Sequence, residues 1–153
     1  MMNLCCKVLE ALSGKTLVTA ESCTGGGIGR AITSVSGSSA VFKGGIISYC
    51  NEIKSNVLGV CQSTLSSEGA VSASVAEQMA CGAIRVMNAD VAVSVTGLAD
   101  AAPDDFGHPG GTVFIGYADE ERVVSREFHF WGTREEVRNQ AIENALLMIL
   151  EFN

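Results

Sequence analysis

Two nucleophilic side chains stand side by side at the start of a glycine-rich stretch. Ser22 and Cys23 follow the apolar run 16–20 and precede the run 24–27. A buried strand that turns into a helix would present both side chains at the corner, beside backbone N–H groups that bind an anion or a developing oxyanion. Either side chain attacks a carbonyl group once a base removes its proton. The pattern therefore indicates covalent catalysis and leaves Ser22 and Cys23 as alternatives.

A tyrosine and a lysine follow the next predicted strand. Tyr49 ends the run 41–49, and Lys54 comes five residues later. Serine with a neutral lysine is a known nucleophile–base pair, and burial lowers a lysine pKa enough for that role. The tyrosine hydroxyl could orient the pair or relay the proton. The structural alternative is a capped helix, a tyrosine at the core edge and a solvated lysine.

The other candidate groups give weaker signals. His108 lies in an irregular stretch and His129 in an alternating strand, so neither is spaced to activate Cys23. The six cysteines show no CxxC spacing and are predicted to be mostly reduced apolar residues. The run 25–29 matches neither the dinucleotide fingerprint nor the P-loop. We therefore expect no metal and no cofactor.

Two arginines lie one helical turn apart near the end of the chain. Arg134 and Arg138 follow Thr133 at the start of the last predicted helix. Together they could form a fork for a phosphate group. The alternative is a solvated helix face on which Arg138 pairs with Glu135.

The elements that must position these residues alternate between strands and helices. We predict strands over 16–20, 41–49, 90–95, 111–118 and 122–130. We predict helices over 4–12, 24–34 with Thr24 as N-cap, 54–58, 74–86 with a capping box at Ser74, and from a second capping box at Thr133 onward. This order predicts an α/β fold: a three-layer α/β/α sandwich with a mixed, mostly parallel sheet of about five strands. Ser22, Tyr49 and Thr96 would then meet at the carboxyl edge of the sheet.

Length and composition restrict the class of protein. The 153 residues suit a single domain, 1–153, and the net charge of −7 argues against nucleic-acid binding. The longest apolar run, 145–150, is too short to cross a membrane, and the N-terminus lacks the apolar run of a signal peptide. We therefore expect a cytoplasmic protein without membrane contact.

Eight segments in sequence order carry a resemblance to one family. They are TAESCTGG at 19–26, VSGSSAVF at 35–42, GIISYCNEIK at 45–54, LGV at 58–60, GAVS at 69–72, VTG at 95–97, GTVFIG at 111–116 and TREEVR at 133–138. Through them the chain resembles the CinA C-terminal domain family, whose enzymes are nicotinamide-nucleotide amidohydrolases (PncC-type deamidases). The resemblance implies hydrolysis of nicotinamide mononucleotide (NMN) to nicotinic acid mononucleotide and ammonia, without a metal. It also implies a homo-oligomer.

Carried over residue by residue, the resemblance implies a role for each matching position. Ser22 would be the nucleophile, Lys54 its general base and Tyr49 the orienting or relaying hydroxyl. The substrate site would be lined by Thr24, Gly25, Gly26, Asn51, Thr96 and Gly97. Either Arg134 or Arg138 would bind the phosphate.

One segment departs from the family pattern. Asp100-Ala101 replaces the Gly-Pro pair that usually follows this point, and His108 replaces a lysine. If the loop 100–108 closes over the substrate, its added negative charge would oppose a phosphate. This segment supports the rival hypothesis of a non-catalytic nucleotide-binding or regulatory module. A different small amide substrate is a third hypothesis.

Overall fold

The computed structural model describes all 153 residues, and helices alternate with strands along most of the chain. The elements are α1 (Met2–Ala11), β1 (Leu17–Glu21), α2 (Gly27–Thr33), a 3₁₀ helix (Ser38–Ala40), β2 (Phe42–Ile47), α3 (Asn51–Asn56), α4 (Gln62–Glu68), α5 (Ala73–Met87), β3 (Val91–Gly97), β4 (Thr112–Ala118), β5 (Val123–His129) and α6 (Arg134–Phe152). None of the α-helices combines the length and the apolar character that crossing a bilayer requires.

The strands form one mixed sheet in the order β2-β1-β3-β4-β5. β1 pairs in parallel with β2 and β3, whereas β4 is antiparallel to both of its neighbours. Four of the five strands therefore run in the same direction, and β4 alone is reversed. The carboxyl ends of β1, β2 and β3 share one edge, which is where open α/β sheets bind their ligands.

Helices cover both faces of the sheet. On one face α1, α2 and α6 pack on Val91, Val93 and other apolar residues of the strands. On the opposite face α5 and the segment after α3 pack on residues such as Ala20 and Ala92. Alternate residues of a strand point to opposite faces, so β3 contributes to both cores. The predicted three-layer sandwich with a mixed sheet is confirmed.

Two helix starts test the predicted capping boxes. The box at Thr133 is confirmed, because its hydroxyl accepts from the Glu136 N–H and the Glu136 carboxylate accepts from the Thr133 N–H. The box at Ser74 is wrong. Ser72 is the N-cap of α5, with an extended backbone and a hydroxyl that accepts from the Val75 N–H. Ser74 is the second residue of the helix and therefore does not occupy the N-cap position.

The segment between β2 and α5 differs most from its prediction. α3 begins at Asn51, three residues before the predicted start, so Lys54 lies in its last turn. α4 was not predicted from the sequence, because Leu65 is the only strongly apolar residue in its span and one residue defines no periodicity. Leu65 packs into the core beside α5, and this tertiary contact stabilises the helix.

Candidate active site

Ser22 and Lys54 meet at the carboxyl edge of the sheet. The Lys54 Nζ lies 3.0 Å from the Ser22 Oγ and donates to the Ser48 carbonyl oxygen at 2.7 Å. The Ser22 N–H donates to the Val95 carbonyl at 2.9 Å, and the Ser48 N–H donates to the Glu21 carbonyl at 2.8 Å. These two backbone bonds lie just beyond the strand ends, so the sheet itself fixes both sides of the Ser22–Lys54 pair.

The Lys54 amine is held in an unusual environment for a lysine. The residue is only 1% exposed, and it forms no salt bridge. Burial disfavours the charged ammonium form, and this lowers the pKa of Lys54. At a given pH, a larger fraction of the protein molecules therefore carries Lys54 as a neutral amine, which is the form that accepts a proton from a hydroxyl.

Cys23 has the opposite environment for a nucleophile. It is nearly buried within the core that α2 and α6 cover. Burial raises the pKa of its thiol to about 11, so the thiolate is scarce at neutral pH. His108 and His129 are each bound to an acidic side chain of their own segment. Geometry therefore favours Ser22 over Cys23.

A buried carboxylate organises the corner that carries Ser22. Glu21 is 1% exposed and accepts four hydrogen bonds. The donors are the hydroxyls of Thr19 (3.1 Å) and Thr24 (2.7 Å) and the N–H groups of Ile28 (3.0 Å) and Gly29 (2.9 Å). The two N–H groups belong to the first turn of α2, which Glu21 therefore caps from seven and eight residues earlier in the chain.

This arrangement corrects the prediction that Thr24 is the N-cap of α2. Gly26 occupies that position with a φ of 92° and has no side chain to offer, so Glu21 supplies the missing acceptor. The predicted anion site at the start of α2 is also corrected, because Glu21 already binds its free N–H groups. Sequence reasoning missed the role of Glu21. The signal that could have identified it is a carboxylate at the end of a buried strand, with no lysine or arginine between residues 16 and 29.

A cavity of about 370 Å³ opens beside Ser22 and has the size of a small-molecule site. Five segments of the chain line it, and the residues are Ser22, Cys23, Tyr49, Asn51, Lys54, Ala70, Val71, Thr96, Gly97, Leu98, Ala99, Asp100, Ala102, Pro103 and Arg134. Three larger concavities, of about 390, 440 and 500 Å³, contain neither Ser22 nor Lys54. We assign the site by its chemistry and not by its size.

Known proteins match this chain over nearly its whole length. The sequence profile of the CinA C-terminal domain matches residues 2–152. The chain belongs to the CinA C-terminal domain family. The nicotinamide-nucleotide amidohydrolase PncC of Escherichia coli is 43% identical over 150 residues, which cover 95% of this chain and 90% of that protein. A CinA-like protein of Thermosynechococcus vestitus is 48% identical over 135 residues, which cover 86% of this chain and 32% of that protein.

The chain thus spans about a third of the length of the CinA-like proteins that it matches.

Among solved structures, a CinA superfamily protein from Escherichia coli superimposes with a TM-score of 0.97 at 31% identity, covering 99% of this chain and 90% of that one. The competence/damage inducible protein CihA from Agrobacterium tumefaciens gives a TM-score of 0.95 at 36% identity, with coverage of 99% and 94%.

In this CinA C-terminal domain the two candidate arginines have different positions. Arg134 lines the cavity. Arg138 does not line it: it donates to the Thr24 carbonyl at 3.0 Å, and its Nε is buried without a partner. Thr24 is itself fully buried, with its hydroxyl on Glu21. Of the two arginines, the structure brings only Arg134 to the side of the cavity.

Of the other predicted substrate-binding residues, some line the cavity and some do not. Asn51, Thr96 and Gly97 line the cavity, and the Thr96 hydroxyl donates to a backbone carbonyl of the α4–α5 connection at 2.7 Å. Gly25 and Gly26 do not line it. Both have positive φ values and shape the turn into α2.

Three exposed side chains meet at the rim of the cavity. The Arg134 guanidinium donates to the Asp100 carboxylate through Nη1 and to the Tyr49 hydroxyl through Nη2, the latter at 2.9 Å. The Tyr49 side chain makes no hydrogen bond to Ser22 or Lys54. We call Tyr49, Asp100 and Arg134 the rim cluster.

The loop that departs from the family pattern reaches the cavity with only part of its length. Residues 98–100 and 102–103 line the cavity, whereas His108 packs edge-on against Phe114 and binds the Asp104 carboxylate at 2.8 Å. Asp104 also accepts the N–H of His108 at 2.9 Å, so it closes the loop on itself. Among the acidic residues of the loop, Asp100 alone lines the cavity.

Proposed function

We propose that the protein is an amidohydrolase that converts NMN and water to nicotinic acid mononucleotide and ammonia. The observation that carries the proposal is the contact between the Ser22 hydroxyl and the buried Lys54 amine. It occurs in a chain that is 43% identical to a nicotinamide-nucleotide amidohydrolase over nearly its whole length. A cavity of small-molecule size with an arginine on its rim supports a nucleotide substrate.

Lys54 is arranged to act as the general base. A neutral amine has two N–H groups and one lone pair. One N–H donates to the Ser48 carbonyl, which leaves the lone pair free to face the Ser22 hydroxyl 3.0 Å away. The Ser48 carbonyl therefore has the orienting role of the third member of a catalytic triad.

In the first half of the reaction, the Ser22 Oγ attacks the carboxamide carbon while its proton passes to the Lys54 Nζ. The resulting tetrahedral intermediate carries a negative oxygen. Lys54 then gives its proton to the amide nitrogen, the C–N bond breaks, and ammonia leaves. An ester between Ser22 and the nicotinoyl group remains.

In the second half, Lys54 takes a proton from a water molecule, and the hydroxide attacks the ester carbon. The C–O bond to Ser22 breaks, and the serine oxygen recovers the proton from Lys54. The carboxyl group of the product loses its remaining proton to solvent, and nicotinic acid mononucleotide leaves as the carboxylate. The same amine thus acts as base and acid in both halves.

The negative oxygen of each intermediate requires a hydrogen-bond donor. The Cys23 N–H is the donor that we propose, because it adjoins the nucleophile and donates to no backbone carbonyl. Cys23 also lines the cavity. In this proposal Cys23 contributes its backbone and not its thiol.

The substrate phosphate is assigned to Arg134, whose guanidinium matches a phosphate with two donors. Asn51, Thr96 and Gly97 would contact the rest of the nucleotide, because they also line the cavity. We also propose a homo-oligomer in the cytoplasm, which analytical ultracentrifugation and cell fractionation would test.

The central experiment measures ammonia release from NMN by the purified protein. We expect release by the wild type, a loss of about 10³-fold or more in Ser22→Ala, and near-normal release in Cys23→Ala. Release that persists in Ser22→Ala and stops in Cys23→Ala would overturn the nucleophile assignment. Calorimetric binding of NMN without any release by the wild type would favour the non-catalytic nucleotide-binding module.

A further inference from the structure

The arginine assigned to the phosphate already has an anionic ligand. Both terminal nitrogens of Arg134 are engaged, Nη1 by the Asp100 carboxylate and Nη2 by the Tyr49 hydroxyl. Asp100 comes from the loop after β3, and Arg134 is the first residue of α6. The pair therefore joins two separate segments across the rim of the cavity.

A carboxylate and a phosphate compete for the same guanidinium donors, because both present oxygens in the fork geometry that arginine binds. A phosphate that binds both terminal nitrogens of Arg134 as a fork displaces the Asp100 carboxylate from Nη1. Asp100 thus opposes phosphate binding by competing for the donors of Arg134.

We propose that Asp100 is a specificity-determining residue: it acts as an internal ligand of Arg134 that a substrate phosphate must displace. The inference rests on the proposed function and deepens it, because it concerns which amide substrates the same cavity accepts. Asp100 therefore reduces the difference in binding affinity between a nucleotide and the corresponding nucleoside, whose ribose carries no phosphate.

The exposure of the pair sets the size of the effect. The side chains of Arg134 and Asp100 are 46% and 64% exposed, so water solvates the carboxylate after it is displaced. Exposed ion pairs are weak. We therefore expect removal of the Asp100 charge to improve NMN binding about three- to tenfold.

The variant Asp100→Asn keeps the shape of the side chain and removes its charge. The substrates are NMN and nicotinamide riboside, and the matched control is Asp105→Asn, an exposed aspartate of the same loop that does not line the cavity. We expect KM for NMN to fall about three- to tenfold in Asp100→Asn. KM for the riboside should stay within about twofold, as should both values in Asp105→Asn.

A double-mutant cycle tests the route through Arg134. In an Arg134→Gln background, Asp100→Asn should leave KM for NMN within about twofold of the single Arg134→Gln variant. The proposal is overturned if Asp100→Asn does not change KM for NMN, if it changes both substrates equally, or if its effect survives without Arg134.

Failure of the proposed function is distinguishable from failure of this inference. If no variant releases ammonia from either compound, the proposed hydrolysis is wrong, and isothermal titration with NMN and with the riboside replaces the kinetic comparison. Tighter binding of NMN alone in Asp100→Asn supports the role of Asp100. Equal binding by the wild type and Asp100→Asn, or no binding of NMN by either, overturns it.

Discussion

The corner at Ser22 and the rim cluster lie on the same cavity but are built differently. At the corner, Glu21 and Lys54 are each 1% exposed, and their polar atoms are bound by fixed protein partners. At the rim, Tyr49, Asp100 and Arg134 are exposed, and their bonds join side chains that water also reaches.

This difference separates two tasks. Leaving a buried polar group without a partner costs about 1–3 kcal/mol, so the corner holds its geometry whether or not a substrate is present. An exposed ion pair contributes about 0–1 kcal/mol, so a ligand readily replaces one of its members. The corner suits bond making and breaking, and the rim suits selection of the ligand. Four predictions test this contrast, from the largest expected effect to the smallest.

Replacing Lys54 by methionine should produce the largest change. Lys54→Met keeps the length of the side chain but removes the lone pair that accepts the Ser22 proton, so kcat for NMN should fall about 10³-fold or more. Steady-state ammonia release measures the effect. Lys43→Met is the control, because Lys43 is an exposed lysine of β2 that donates only to the Asn88 carbonyl. A Lys54→Met enzyme within tenfold of wild type would contradict the assigned base.

Replacing Glu21 by alanine should reveal how firmly the corner is held. Four donors, two hydroxyls and two N–H groups, lose their buried acceptor. We expect a loss of about 3 kcal/mol in the free energy of unfolding and a Tm lower by about 10 °C. Thermal and urea unfolding measure both values. The exposed Glu143→Ala on α6 should unfold like the wild type, and an equal Tm for Glu21→Ala would show that the carboxylate does not cap α2.

The pH dependence of kcat should reflect the buried amine. Burial lowers the pKa of Lys54 below its usual value of about 10.4, and only the neutral form accepts the serine proton. Below that lowered pKa, kcat should rise about tenfold per pH unit, and above it kcat should level off. In the window between the lowered pKa and the usual value, the unfolded chain binds more protons, so stability should also rise with pH. A kcat that falls with rising pH in this range would require the ammonium as the active form.

Replacing Tyr49 by phenylalanine should have the smallest effect. Its hydroxyl bonds Arg134 at the rim and not the Ser22–Lys54 pair. The neutral hydroxyl holds the guanidinium in place without competing as an anion, so Tyr49→Phe should raise KM for NMN about threefold and leave kcat nearly unchanged. A fall in kcat of about 100-fold would instead indicate that Tyr49 acts as a proton relay, so that a residue of the rim cluster takes part in the chemical step.

The sequence predicted the elements with strong local signals. The buried runs of β1 and β3, the capping box at Thr133 and the strand ends that carry Ser22 and Thr96 all follow from periodicity and residue type. The prediction missed α4, because this helix depends on one buried leucine. It also misplaced the start of α5, which Ser72 caps. Local pattern is weak where a tertiary contact selects the conformation.

The candidate site shows the same division. Residue types and spacing by themselves predicted that Ser22, Tyr49 and Thr96 would lie at the carboxyl edge of a mixed sheet, and they left Lys54 as either a catalytic base or a solvated lysine. Only the tertiary structure decided that Lys54 is buried on Ser22, that Arg134 and not Arg138 lines the cavity, and that Asp100 binds Arg134. The physical reason is that burial and long-range pairing depend on segments distant in the chain, which sequence spacing does not specify.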